Sequence, residues 1–108
     1  MRPAVAAICL AWMLAANAAA AADAEKGRLF LQERCGGCHA TDATGDSPLP
    51  AAPAFRQLGE RYSPETLEES LAEGIVTGHP GMPEVVATPE EIDDIVAWLN
   101  AVQAAPKP

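Results

Sequence analysis

The chain has 108 residues, with 15 acidic side chains against 7 basic ones and a formal net charge of −8 at pH 7. That length admits one small domain. The acidic excess argues against nucleic acid or anionic lipid as the main partner.

Residues 1–22 read as a cleaved signal peptide. Arg2 is a lone positive charge, the run from Ala4 to Ala16 is apolar, and Ala20-Ala21-Ala22 fits an A-x-A cleavage site before Asp23. The apolar run falls short of the ~20 residues that a membrane span needs. Cys9 lies inside it and reads as a small apolar residue that is discarded. Removing residues 1–22 of the 108 leaves 86, and it takes away Arg2 but no acid, so the formal net charge becomes −9. The remainder keeps four aromatic residues, Phe30, Phe55, Tyr62 and Trp98. Domains below roughly 70–80 residues usually need a disulfide, a metal or another staple. A core this thin, close to that limit, suggests that something other than side chains fills the middle.

The first predicted helix runs from Ala24 to Arg34, with Asp23 as N-cap and Glu25 in the first turn, where an acid suits the helix dipole. Gly27 and Leu31 share a face. A glycine inside a helix costs about 1 kcal/mol relative to alanine, which makes sense if something packs closely against the backbone there.

Directly after this helix comes Cys35-Gly36-Gly37-Cys38-His39. Three chemistries compete for it. Structural zinc needs four ligands, so it would have to use Cys35, Cys38, His39 and His79 together, with His39 and Cys38 adjacent on one tetrahedron. A thioredoxin-type redox disulfide is expected near a βαβ pattern, and none is visible. The third reading is covalent haem c, for which C-x-x-C-H is the attachment motif. Two thiols at this spacing form thioethers with the two haem vinyl groups, and the next residue's imidazole reaches the iron. Gly36 and Gly37 suit the tight loop between the thiols. Export agrees with this reading, since haem c is attached outside the bacterial cytoplasm.

Residues 40–53 contain Gly45, Pro48, Pro50 and Pro53 and are expected to form a loop. Phe55, Leu58 and Tyr62 then suggest a short helix from Ala54 to Arg61. A second start follows, with Ser63 as N-cap and Pro64 at the first helical position. Leu67, Leu71 and Ile75 form its apolar stripe, and Gly74 is a plausible stop. In Gly78-His79-Pro80-Gly81-Met82-Pro83 neither a helical nor a strand period is visible. Met1 and Met13 leave with the signal peptide, so Met82 is the sole thioether in the remaining chain. A core-filling methionine would be expected on a helix face, so Met82 reads as the second axial ligand, with His79 as its rival. Thioether ligation raises the potential of haem iron. The last helix begins at a capping box, Thr88 with Glu91. It carries Ile92, Val96 and Leu99 on one face with Ile95 and Trp98 beside them, and fades near Gln103. The class is all-α, with a domain over residues 23–105 and a tail over 106–108.

At this point the chain resembles class I (mitochondrial-type) bacterial c-type cytochromes. EKGRLFLQERCGGCHA is similar to the family's first helix and haem-binding loop, GHPGMPEV to its methionine loop, and EEIDDIVAWLN to its C-terminal helix. The resemblance implies a small fold of three to four helices around one covalent haem, with the first and last helices crossing at Gly27 and Trp98 matching the aromatic of the last helix. The family often has an aromatic where this chain has Leu31, with Phe30 one place away. The resemblance also implies a proline carbonyl that accepts a hydrogen bond from His39. APAF, Ala52 to Phe55, points to Pro53 among Pro48, Pro50 and Pro53. It places Tyr62 either near a haem propionate or in the half-buried core.

The function expected is that of a periplasmic monohaem electron carrier and not an enzyme, with thioethers at Cys35 and Cys38 and iron held by His39 and Met82. A dedicated role as cytochrome partner of one periplasmic dehydrogenase fits the same residues. A haem-based gas sensor would need an open or weakly held distal site. The partners expected are redox proteins. Docking would be to a basic surface, or through an apolar contact near Gly36, Gly37, Gly81 and Pro83.

Overall fold

The computed structural model of the chain describes residues 21–74 and 81–103. Ile75, His79 and the 106–108 tail lie outside the described residues, as does most of the expected signal peptide. Helix α1 spans Ala24–Cys35. Its start is capped by the Asp23 carboxylate, which accepts from the amides of Glu25 and Lys26. It runs one residue further than its sequence suggested, so the first thiol belongs to the last helical turn.

A 3-10 turn over Phe55–Glu60 stands where a short α-helix over Ala54–Arg61 was expected. The tighter winding, about three residues per turn, changes which side chains share a face. Phe55 is buried and Leu58 half-buried, but Tyr62 lies beyond the end of the turn and is 54% exposed. Of the two places given for Tyr62, the half-buried core is therefore not the one it takes.

Helix α2, Pro64–Glu73, starts at Ser63 and Pro64 and ends at Gly74, whose φ is +84°. Ser63 occupies the cap position, but its hydroxyl meets that of Thr66 instead of a backbone amide. Helix α3, Pro89–Gln103, has both bonds of its capping box: the Thr88 amide donates to Glu91 Oε2 at 2.8 Å, and the Glu91 amide to Thr88 Oγ1 at 3.2 Å. Its buried positions are Ile92, Ile95, Leu99 and Val102. The stripe is centred on Ile95, which is fully buried, and Val96 sits at its edge. The described residues contain no strand beyond a single bridge position at Val85.

Helix α3 is the hub, packing on α1, on α2 and on the 3-10 turn. Leu31, Phe55, Leu71, Ala87, Ile92, Ile95 and Leu99 make the common core. Burying a side chain such as Ile95 contributes roughly 1.5–3 kcal/mol. At Gly27 the helices α1 and α3 meet backbone to backbone. A Cβ there would lie 2.8 Å from the Ile95 nitrogen and nearer still to the Asp94 carbonyl. The Asp94 carboxylate also accepts from the Asp23 amide at 2.7 Å, closing the crossing at its open end.

Trp98 ties α3 to the segment after the CGGCH loop. Its indole N–H donates to the Thr41 carbonyl at 2.8 Å, and Thr41 is buried. Trp98→Phe keeps most of the packing and removes the donor. The expected loss is about 1–2 kcal/mol, since a part-buried carbonyl is left without its partner. Urea unfolding checks this, and an unchanged midpoint would mean that the bond contributes no net stability.

Candidate functional site

The CGGCH segment turns back on itself as α1 ends. The amides of Cys38 and His39 both donate to the Cys35 carbonyl, at 3.2 and 2.9 Å. This brings both thiols and the imidazole to one side of the turn. Gly36 packs against the Gln32 carbonyl so closely that a Cβ would overlap it, whereas Gly37 has open space around it. The loop that follows is pinned at several points. The Ala40 amide donates to Ser47 Oγ at 3.0 Å, Leu49 to the Cys38 carbonyl at 3.1 Å, and Phe55 to the Ala40 carbonyl at 2.9 Å.

These bonds bring Pro53 against His39. The Nδ1 atom of His39 lies 2.7 Å from the Pro53 carbonyl oxygen. A carbonyl only accepts, so Nδ1 carries the proton. In a neutral ring that leaves Nε2 with its lone pair, the form in which imidazole binds metal. The Phe55 ring lies 4.9 Å from the imidazole, tilted by 33°, and limits its rotation from a second direction.

Two cavities open from this point, with volumes of about 390 and 780 Å³. Cys35, His39, Pro53, Met82 and Val85 line both. Arg34, Gly37, Cys38, Leu49, Ala51, Ala52, Gly81 and Pro83 complete the smaller one, and Phe30, Leu31, Phe55, Leu58, Leu71 and Leu99 form much of the larger. Their volumes fall within the range typical of cofactor sites, and the walls are mainly apolar. Tyr62 lines the larger cavity from an exposed position. Gly36, expected at the rim, is absent from both walls because it is turned in against Gln32.

Several wall residues were not among the expected site residues, Arg34, Leu49, Phe55 and Val85 among them. Arg34 adjoins Cys35, Phe55 closes the APAF segment and Val85 the GHPGMPEV segment, so these three carried a local signal. Leu49 lies in the 40–53 loop and carried none.

Burial pushes the Cys35 thiol up to about 11, with the nearby Arg34 charge opposing the shift. Cys35 is thus a neutral thiol near pH 7, in keeping with an apolar wall. Cys35 and Cys38 form no disulfide with each other. Among the described residues no three His, Cys, Asp or Glu side chains gather into a metal cluster. The zinc reading also needs His79, which lies outside the described residues. The site fits haem c on its donor chemistry: two thiols in the C-x-x-C-H spacing, an imidazole with Nε2 free, a thioether in the same walls, and apolar sides.

A protein-family model matches residues 22–99, that of cytochrome C oxidase, cbb3-type, subunit III. The chain belongs to this family. Searches of curated proteins and of solved structures gave no match. The cytochrome has the monohaem c-type fold, consistent with class I, and its cofactor is covalently bound haem c with its iron. It is an all-α electron-transfer protein whose partners are redox partners. Among its described residues, no helix is long and apolar enough to cross a membrane.

Proposed function

We propose that the cytochrome is a periplasmic single-electron shuttle, exported by residues 1–22. In this reading Cys35 and Cys38 form the thioethers, His39 is the proximal iron ligand and Met82 the distal one. The observation that carries it is the His39–Pro53 hydrogen bond, which leaves Nε2 free in walls that also contain Met82. Bound haem c supplies a one-electron ferric/ferrous couple. The protein's own residues keep reorganisation small. The Pro53 carbonyl orients the His39 ring and raises its basicity, the Phe55 ring limits its rotation, and the apolar walls exclude water. A one-electron couple asks only that the iron ligands stay fixed, and we read the protein as a carrier and not as an enzyme.

Covalent attachment is the first test. After acid-acetone extraction the haem is expected to stay on the polypeptide. Intact mass is expected to show a chain beginning near Asp23 plus one haem. A haem that extracts freely, or a protein that carries zinc, would overturn the reading.

The family's name is that of an oxidase subunit, which favours a second reading: a dedicated place beside one redox enzyme instead of free shuttling. Charge bears on how such a partner docks. Beyond the signal peptide the bases are Lys26, Arg28, Arg34, Arg56, Arg61 and Lys107, against fifteen acids. A dense cationic ring cannot be built from these, so we place a basic surface on the partner. Steering between opposite charges speeds association, and salt screens it over about 8 Å at physiological ionic strength. The electron-transfer rate with the native partner is expected to fall steeply with added salt. A flat profile would instead assign docking to the apolar rim near Leu49, Gly81 and Pro83. A rate that rises with salt would mean that like-charged surfaces meet.

A further inference from the structure

We infer that Gln103, at the end of α3, is a positioning residue for the proximal histidine and thereby sets part of the haem potential. This rests on His39 being the proximal ligand. Gln103 is far from the CGGCH motif in sequence, yet its amide grips the 3-10 turn with both ends. Nε2 donates to the Phe55 carbonyl, and Oε1 accepts from the Gly59 amide at 2.9 Å. The side chain lies flat over Gly59, where a Cβ would come within 2.8 Å of Oε1.

The gripped segment is the one that supports the imidazole. Phe55 follows Pro53 by two residues, its own amide donates to the Ala40 carbonyl at 2.9 Å, and its ring lies against His39. The Pro53 carbonyl has no regular secondary structure to hold it in place. It is fixed through Phe55, whose N–H donates to the Ala40 carbonyl and whose C=O accepts from the Gln103 amide. Without Gln103, the Phe55 carbonyl loses a part-buried donor and the segment is held from one side only. A weaker Nδ1–H···O=C bond makes the imidazole a poorer electron donor, which favours ferrous over ferric iron. The potential then rises.

The holoprotein carrying Gln103→Leu tests this, since the change is neutral and removes both grips. We expect a higher midpoint potential and exchange of the His39 Nδ1 proton roughly fivefold faster, the factor that corresponds to one net hydrogen bond. Gly59→Ala displaces the same amide without altering residue 103, and we expect it to shift both readouts in the same direction. It decides the matter if Gln103→Leu yields no holoprotein. The control is Asn100→Ala, which cuts a comparable tie from α3, its 3.0 Å bond to Glu65 on α2. This variant is expected to lose some stability and keep the parent potential. If Gln103→Leu behaves like Asn100→Ala, with a lower unfolding midpoint but unchanged potential and His39 exchange, Gln103 is only structural and the inference fails. If those readouts move while covalent attachment also proves absent, the failure lies in the haem reading and not in the positioning role.

Discussion

Gly27→Val is expected to yield no stably folded cytochrome, and Gly27→Ala a strongly weakened one. The new Cβ would sit against the Asp94 carbonyl and the Ile95 nitrogen, which are backbone atoms of α3 and cannot rotate away. Either α1 and α3 separate or one of them bends. Separation would open the contact between Leu31 and the stripe of Ile95 and Leu99. Overpacking a core usually costs about 1–3 kcal/mol and occasionally more. A backbone obstacle at the main helix crossing belongs at the top of that range. The opposing gain from replacing a helical glycine is about 1 kcal/mol, so the sign is set by the clash. Typical domains have only about 5–15 kcal/mol in total, and valine adds bulk on both sides of the same contact. Denaturant midpoints of the holoprotein and its yield are the measurements. A Gly27→Ala protein as stable as its parent would show that the helices do not cross there.

Met82→Ala is expected to lower the potential and to let carbon monoxide bind the ferrous protein, which the parent binds poorly. Met82 is half-buried and lines both cavities together with His39. Its thioether favours the ferrous state. For a one-electron couple each tenfold loss of that preference lowers the potential by about 59 mV, so a fall of at least this size is expected. Titration of the midpoint and carbon monoxide difference spectra are the checks. An unaltered potential after Met82→Ala, with an altered one after His79→Ala, would move the ligand to His79, which lies outside the described residues. Ready carbon monoxide binding by the parent would favour the gas-sensor reading.

The features legible in the amino-acid order are those whose causes are local. The capping box of α3 needs only Thr88 and Glu91 three residues apart, and both its hydrogen bonds form. The end of α2 needs only a residue that tolerates positive φ, and Gly74 supplies it. The C-x-x-C-H spacing is equally local, because one turn of chain decides whether two thiols and an imidazole face the same way. Even Gly27 was readable, as a helical glycine whose unfavourable propensity needed a compensating close contact.

Tertiary structure decided what depends on residues distant in sequence. The 3-10 winding of Phe55–Glu60 places Phe55 in the core and leaves Tyr62 exposed, a difference that a stripe of apolar letters at i, i+3 and i+7 cannot show. The inward face of α3 is centred on Ile95 and not on Val96, since the crossing with α1 at Gly27 sets the helix rotation. The choice among three loop prolines became a hydrogen bond at Pro53 because the Ala40–Phe55 bond folds the loop back on His39. Leu49 reaches the cavity wall, and Gln103 the 3-10 turn behind it, only because segments far apart in the chain pack together, and no spacing within any one segment records that approach.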